Sequence, residues 1–61
     1  MKSSTTQNTM KAIAKAYASD SEQYKSIAAR VASRDRLAAA YLRDVAESFA
    51  HEAARLAALA I

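Results

Sequence analysis

The sequence predicts an all-α protein, in which two or three helices pack as a hairpin or small bundle within one domain that covers residues 1–61. Three observations lead to this prediction. The chain contains no Gly and no Pro, so the tight turns of β-hairpins lack their usual residues. Ala, the strongest helix former, is the commonest residue. Apolar residues recur at helical spacing along most of the chain.

The first predicted helix covers residues 5–18. Residues 1–4 lie at the chain end, and we expect them to be disordered. Ser4 and Gln7 have the spacing of a capping box, which would begin a helix near Thr5. An apolar stripe at helical spacing follows, formed by Met10, Ile13 and Tyr17.

The second predicted helix covers residues 20–32. Ser19 and Glu22 again have capping-box spacing, and Asp20 adds negative charge to what would be a first helical turn. These polar residues therefore predict a break between the first two helices. The next apolar stripe consists of Tyr24, Ile27 and Val31.

The third predicted helix covers residues 35–59. Its apolar residues recur about every 3.7 positions, which is typical of an α-helix; they are Ala38, Leu42, Val45, Phe49, Ala53, Leu56 and Ala60. The polar residues at 33–35 predict a second break before this helix. The alternative is a single continuous helix of about 40 residues, because neither Gly nor Pro compels a turn.

The apolar residues predict self-association. Hydrophobic residues make up 52% of the chain, but about half of them are Ala, which buries little surface. A domain of 61 residues also buries a smaller share of its surface than a larger one. We therefore expect a homo-oligomer, and most simply a homodimer.

Composition argues against catalysis and cofactor binding. The absence of Cys excludes disulfides, thiolate nucleophiles and thiolate metal sites. His51 is the one His, and with Glu47 and Arg55 on the same helix face it is expected to be a surface residue. We expect no enzyme, no cofactor and no metal. No apolar run reaches the length of a membrane span, and no secretory signal is evident, so we expect no membrane partner and a cytoplasmic location.

Four aromatic residues are candidate anchors for a protein partner. Tyr and Phe combine a large apolar ring with a low entropic cost of ordering, and Tyr adds a polar tip. The candidates are Tyr17, Tyr24, Tyr41 and Phe49. Ala pairs four residues apart would also permit close helix–helix approach; they are Ala14/Ala18, Ala28/Ala32, Ala46/Ala50 and Ala53/Ala57.

Positive charge supports nucleic-acid binding as an alternative. Residues 1–36 carry seven basic and three acidic residues, whereas residues 37–61 carry two basic and three acidic ones. The candidate contacts are Lys25, Arg30, Arg34 and Arg36. The segment 27–37 also resembles a degenerate helix-turn-helix, although the usual turn Gly is absent.

The sequence therefore predicts a small, non-catalytic helical interaction protein. We expect it to bind and modulate another protein, with inhibition as the expected effect, and to act as a homodimer. Stand-alone chains of this size without a catalytic site are often accessory regulators, including those of phages and plasmids. The alternative is a nucleic-acid-binding regulator that uses the basic N-terminal half.

Overall fold

Two long helices form a hairpin. The structure, a computed structural model, describes residues 2–60, and their side chains from residue 5. Helix α1 spans Lys2–Val31 and helix α2 spans Arg36–Leu59. They lie side by side in opposite directions, and their Cα atoms extend over 51 × 13 × 10 Å. No strand occurs within residues 2–60, so the all-α prediction is confirmed as a two-helix hairpin.

The turn between the helices is short and well capped. The backbone N–H groups of Arg34 and Asp35 donate to the carbonyl oxygen of Val31 at 2.9 and 2.8 Å, which closes the end of α1. Asp35 then adopts an extended backbone, and its carboxylate accepts from the N–H of Ala38 at 2.9 Å. This is the usual arrangement of an N-cap residue. The predicted break at residues 33–35 is confirmed.

The predicted break at residue 19 is wrong. Helix α1 continues through Ser19, Asp20 and Ser21 without interruption. Ser21 is buried at 2% exposure, and its hydroxyl donates to the backbone carbonyl of Ala46 at 2.8 Å. The polar residues that suggested a helix start are thus interior residues of one helix. Ser21 is there because it is small and its hydroxyl finds an acceptor on the neighbouring helix.

Small residues at intervals of seven form the contact between the helices. The buried residues of the described chain are all Ala or Ser: Ala14, Ser21 and Ala28 on α1, and Ala39, Ala46, Ala53 and Ala60 on α2. A spacing of seven keeps these residues on one line of a nearly straight helix. Because a methyl or hydroxymethyl group is short, the two backbones can approach closely.

The Ser21–Ala46 bond also defines the register. Seven residues before Ser21 stands Ala14, and seven after Ala46 stands Ala53, so these two meet at the next level of the antiparallel pair. Ala28 and Ala39 meet at the level nearer the turn by the same reasoning. The Cα atoms occupy a cross-section of only 13 × 10 Å around the long axis, which is compact for two helices side by side.

The outer ends of both helices differ slightly from the prediction. Helix α1 already begins at Lys2, before the start predicted near Thr5; Met1 lies outside the described residues, and the disorder expected at the chain end stays a prediction. Helix α2 ends where the N–H of Ala60 donates to the carbonyl oxygens of Leu56 and Ala57. Ala60 is buried at 2% exposure, so the contact between the helices extends to the end of α2.

Candidate interaction surface

One face of the hairpin collects the large apolar side chains. On a helix, the residue one before and the residue three after a small contact residue lie on the same side of that contact, as Val45 and Phe49 do around Ala46. In an antiparallel pair of helices these positions of both helices form one common face. We call this surface the apolar face. It consists of Met10, Ile13, Tyr17, Tyr24, Ile27 and Val31 on α1, and of Leu42, Val45, Phe49, Leu56 and Leu59 on α2.

Three aromatic rings meet at the middle of the apolar face. The ring of Phe49 lies 5.5 Å from that of Tyr17 and 5.5 Å from that of Tyr24, measured between centroids. The second pair is nearly parallel, with 11° between the ring planes. Such pairs contribute about 0.5–1.5 kcal/mol beyond their buried area. Three of the four candidate anchors therefore form one cluster, and all three are half-buried.

The apolar face lacks a cover. Within the described residues no large side chain is fully buried. The rings and aliphatic side chains along the middle of the face are half-buried, and its edges are open, with Ile13 at 41%, Ile27 at 37% and Leu59 at 56% exposure. An open depression is lined by Tyr17 of α1 and, on α2, by Val45, Ser48, Phe49 and Glu52. Two helices alone cannot enclose these side chains, because each is touched from one side only.

Two acidic residues lie at the edges of this face. Asp20 directly precedes the contact residue Ser21, and Glu52 directly precedes the contact residue Ala53. Both therefore occupy the edge position that Ile13 and Ile27 occupy on α1. Both are half-buried. The guanidinium of Arg55 donates hydrogen bonds to the Glu52 carboxylate, through Nε at 3.2 Å and through the adjacent Nη2. These bonds hold the pKa of Glu52 below its usual value.

Tyr41 does not join the aromatic cluster. It is 68% exposed, and it lies one turn after Leu37, which is 85% exposed, on the outer surface of α2 near the turn. The fourth candidate anchor is therefore separated from the other three.

The basic candidates lie near the turn but on different sides of the hairpin. Lys25 comes four residues after Ser21, and Arg36 comes three residues before Ala39. Both positions lie on the side of the hairpin opposite the apolar face. Arg30 and Arg34 do not share that position, although all four are exposed. Lys25 pairs with Glu22 at 3.3 Å. Arg43 was missed by the sequence reasoning; it is exposed and shares the side of Lys25 and Arg36.

Side-by-side helices differ from a helix-turn-helix. In that motif the two helices cross at roughly 90–120°, whereas α1 and α2 pack along their lengths within a layer 13 Å wide. The alternative of nucleic-acid binding therefore depends on charge alone.

His51 is exposed, and Arg55 on the same helix pairs with Glu52. Within residues 2–60 no three acidic or His side chains gather in a way that could hold a metal ion. Neither helix, over the same residues, has a stretch apolar enough to cross a membrane.

Comparison with known proteins finds no matching family model, no similar curated protein and no similar solved structure.

The apolar face was only partly recognised from the sequence. The sequence predicts the apolar stripes on both helices. It does not predict that they form one face, because the predicted break at residue 19 divides the stripe on α1. The missing signal was the series of small residues at intervals of seven, which runs through Ser21 from Ala14 to Ala28.

Proposed function

We propose that this protein is a non-catalytic, cytoplasmic interaction protein that binds another protein through the apolar face and thereby modulates it. The observation that carries this proposal is the distribution of large apolar side chains. All of those described lie on one face, apart from Leu37 and Tyr41, and none is fully buried. Contiguous apolar surface of this kind usually marks a site of protein association.

The chemistry of the face favours a protein over a small molecule or a lipid surface. The face is long and shallow, whereas small-molecule sites are concave and bury most of the ligand. Asp20 and Glu52 lie along its edges, where a lipid surface would place basic residues. Aromatic anchors at the centre with charged residues at the edge match the usual anatomy of a protein interface.

Site-specific photo-crosslinking in the native host tests this function. A photoreactive side chain replaces Val45 on the apolar face, and the matched control places it at Ala54, an exposed residue on the outer surface of the same helix. We expect Val45 to give adducts with a protein other than this chain and Ala54 to give none; adducts between two copies of this chain do not count toward the proposed function. The protein captured is then purified and its binding to the unlabelled chain is measured. Equal adducts from both positions, or no adduct from Val45, would contradict the proposal.

Nucleic-acid binding is the second candidate because positive charge concentrates at the turn. Residues 25–43 hold five basic residues and one acidic residue, a local charge of +4, whereas the whole chain carries +3. Exposed Arg side chains at one end of a rod suit phosphate contacts.

Salt titration of duplex binding tests the second candidate. Replacing Arg30 and Arg34 by Gln should change the free energy of unfolding by less than about 0.5 kcal/mol, since both are exposed. If duplex is bound, affinity should fall steeply with salt, and each lost phosphate contact should reduce the slope by about one unit. The double variant Arg36→Gln, Arg43→Gln tests the side opposite the apolar face. A duplex affinity that changes neither with salt concentration nor in either double variant would contradict this candidate.

A further inference from the structure

We propose that the apolar face is covered by the apolar face of a second copy of this chain, so that two hairpins form a four-helix dimer. This inference rests on the proposed function, because it names what covers the same face before another protein is bound. The partner copy completes the structure: four helices enclose the aromatic cluster of Tyr17, Tyr24 and Phe49, which one hairpin leaves half-buried.

The exposed area matches what a dimer would bury. The chain exposes 4692 Å². A compact monomer of 6.6 kDa should expose about 3,900 Å² by the usual scaling with mass. The excess of about 800 Å² equals the area that each partner contributes to a standard stable interface. A second hairpin laid along the face removes this excess.

The shape and polarity of the face also suit a second copy. The face runs from Met10 to Val31 on α1, about 32 Å at a rise of 1.5 Å per residue, so a partner with long helices covers it from end to end. An identical hairpin supplies a surface of the same length and the same apolar centre. In such a pairing Asp20 and Glu52 lie at the rim, where interfaces keep their charged residues in water.

Charge selects between the two ways of pairing the faces. A two-fold axis along the hairpin would put both turns at the same end, and a two-fold axis across it would put them at opposite ends. Each turn region, residues 25–43, carries +4. Turns at the same end would place both clusters of +4 at one end of the dimer, where their fields add. Turns at opposite ends separate them by most of the 51 Å length, and we assign this arrangement.

Molar mass in solution tests the dimer. We expect light scattering at 100 μM, a chosen concentration, to give twice the 6.6 kDa chain mass. Ile13→Glu and Ile27→Glu change edge residues that are 41% and 37% exposed in one hairpin, so the charge is tolerated by a single hairpin but not by the paired faces. Their double variant should give one chain mass. The matched control Leu37→Glu, at an 85% exposed apolar residue outside the face, should keep twice the chain mass.

Different failures have different meanings. A wild-type chain of single mass overturns the second copy as occupant and leaves the proposed function to its crosslinking test. A dimer that survives the double Ile variant overturns the second copy on this face, and it too leaves the proposed function to its crosslinking test. If the double variant unfolds, thermal melts of the wild-type chain at several protein concentrations provide the test. The Tm of a dimer rises with protein concentration, so a Tm independent of concentration overturns the inference.

Spin-label distances test the orientation. The chain has no Cys, so Leu37→Cys carries a single label at a largely exposed site near the turn. Turns at opposite ends predict a label separation of roughly 40 Å, given the 1.5 Å rise per residue. Turns at the same end predict roughly 20–25 Å, given helix spacings of 8–10 Å. The shorter distance overturns the assigned orientation, and the absence of any distance between chains overturns the dimer.

Discussion

The hydroxyl of Ser21 donates a hydrogen bond to the backbone carbonyl oxygen of Ala46, 2.8 Å away, between helices that otherwise meet through methyl groups. Methyl groups pack almost equally well at neighbouring levels, so they define the register of two helices weakly. The Ser21 hydroxyl adds one directional contact at a defined level, since it donates to the Ala46 carbonyl where both residues are buried. This bond therefore connects the sequence at residue 21 to the pairing of the whole hairpin.

Ser21→Ala should lower the free energy of unfolding by about 0.5–1.5 kcal/mol. The loss stays modest because Ala fits the small-residue series and the Ala46 carbonyl lies inside α2, where it also accepts from the helix backbone. Urea denaturation measures the change, with Ser26→Ala, an exposed site on the same helix, as the control. Equal stability of the two variants would mean that the hydrogen bond contributes nothing.

Ala46→Leu should be among the more damaging changes, with a loss of about 1–3 kcal/mol. Ala46 has no exposed surface, and the helix axes are too close at this level to accept a larger side chain. Ala54→Leu adds the same atoms to an exposed position of α2 and should stay within about 0.5 kcal/mol of the parent. Thermal melts of both variants compare them directly. A Leu tolerated at both positions would contradict the close contact between the helices.

Phe49→Ala should remove both stability and self-association. Its ring lies 5.5 Å from the rings of Tyr17 and Tyr24, and in the proposed dimer it is fully enclosed, where truncation costs about 3–5 kcal/mol. Tyr41→Ala removes an aromatic ring from the same helix at a 68% exposed site and should change little. Melts at several concentrations separate the two effects. A Phe49→Ala chain as stable as Tyr41→Ala would show that the apolar face is not the core.

Asp35→Ala should cost about 1 kcal/mol, because the side chain caps α2 through the N–H of Ala38. Asp35→Asn keeps an acceptor and should lose less. Asp44→Ala, at an exposed carboxylate within α2, is the control for the loss of charge alone. Helix content by circular dichroism and urea denaturation report the result. Equal losses for Asp35→Ala and Asp44→Ala would mean that the cap is not needed.

The sequence by itself determined the helical class, the break near residue 34 and the existence of apolar stripes. These features are local: helix propensity, the lack of Gly and Pro, and spacing along one helix act within a few residues of each other. The candidate anchors Tyr17, Tyr24 and Phe49 were named for the same reason, since large rings on a stripe can be seen without knowing the partner helix.

Only the tertiary structure decided how the polar segment at residues 19–22 folds and which residues share a face. A Ser followed three residues later by Glu can begin a helix or lie inside one, and local chemistry does not separate the two cases. Burial of Ser21 against Ala46 decides for the helix interior, because the hydroxyl lies in the contact between the two helices only when α1 continues past it. The same contact unites two stripes into the apolar face and leaves Tyr41 outside it, since only the register of α1 against α2 determines which side chains meet.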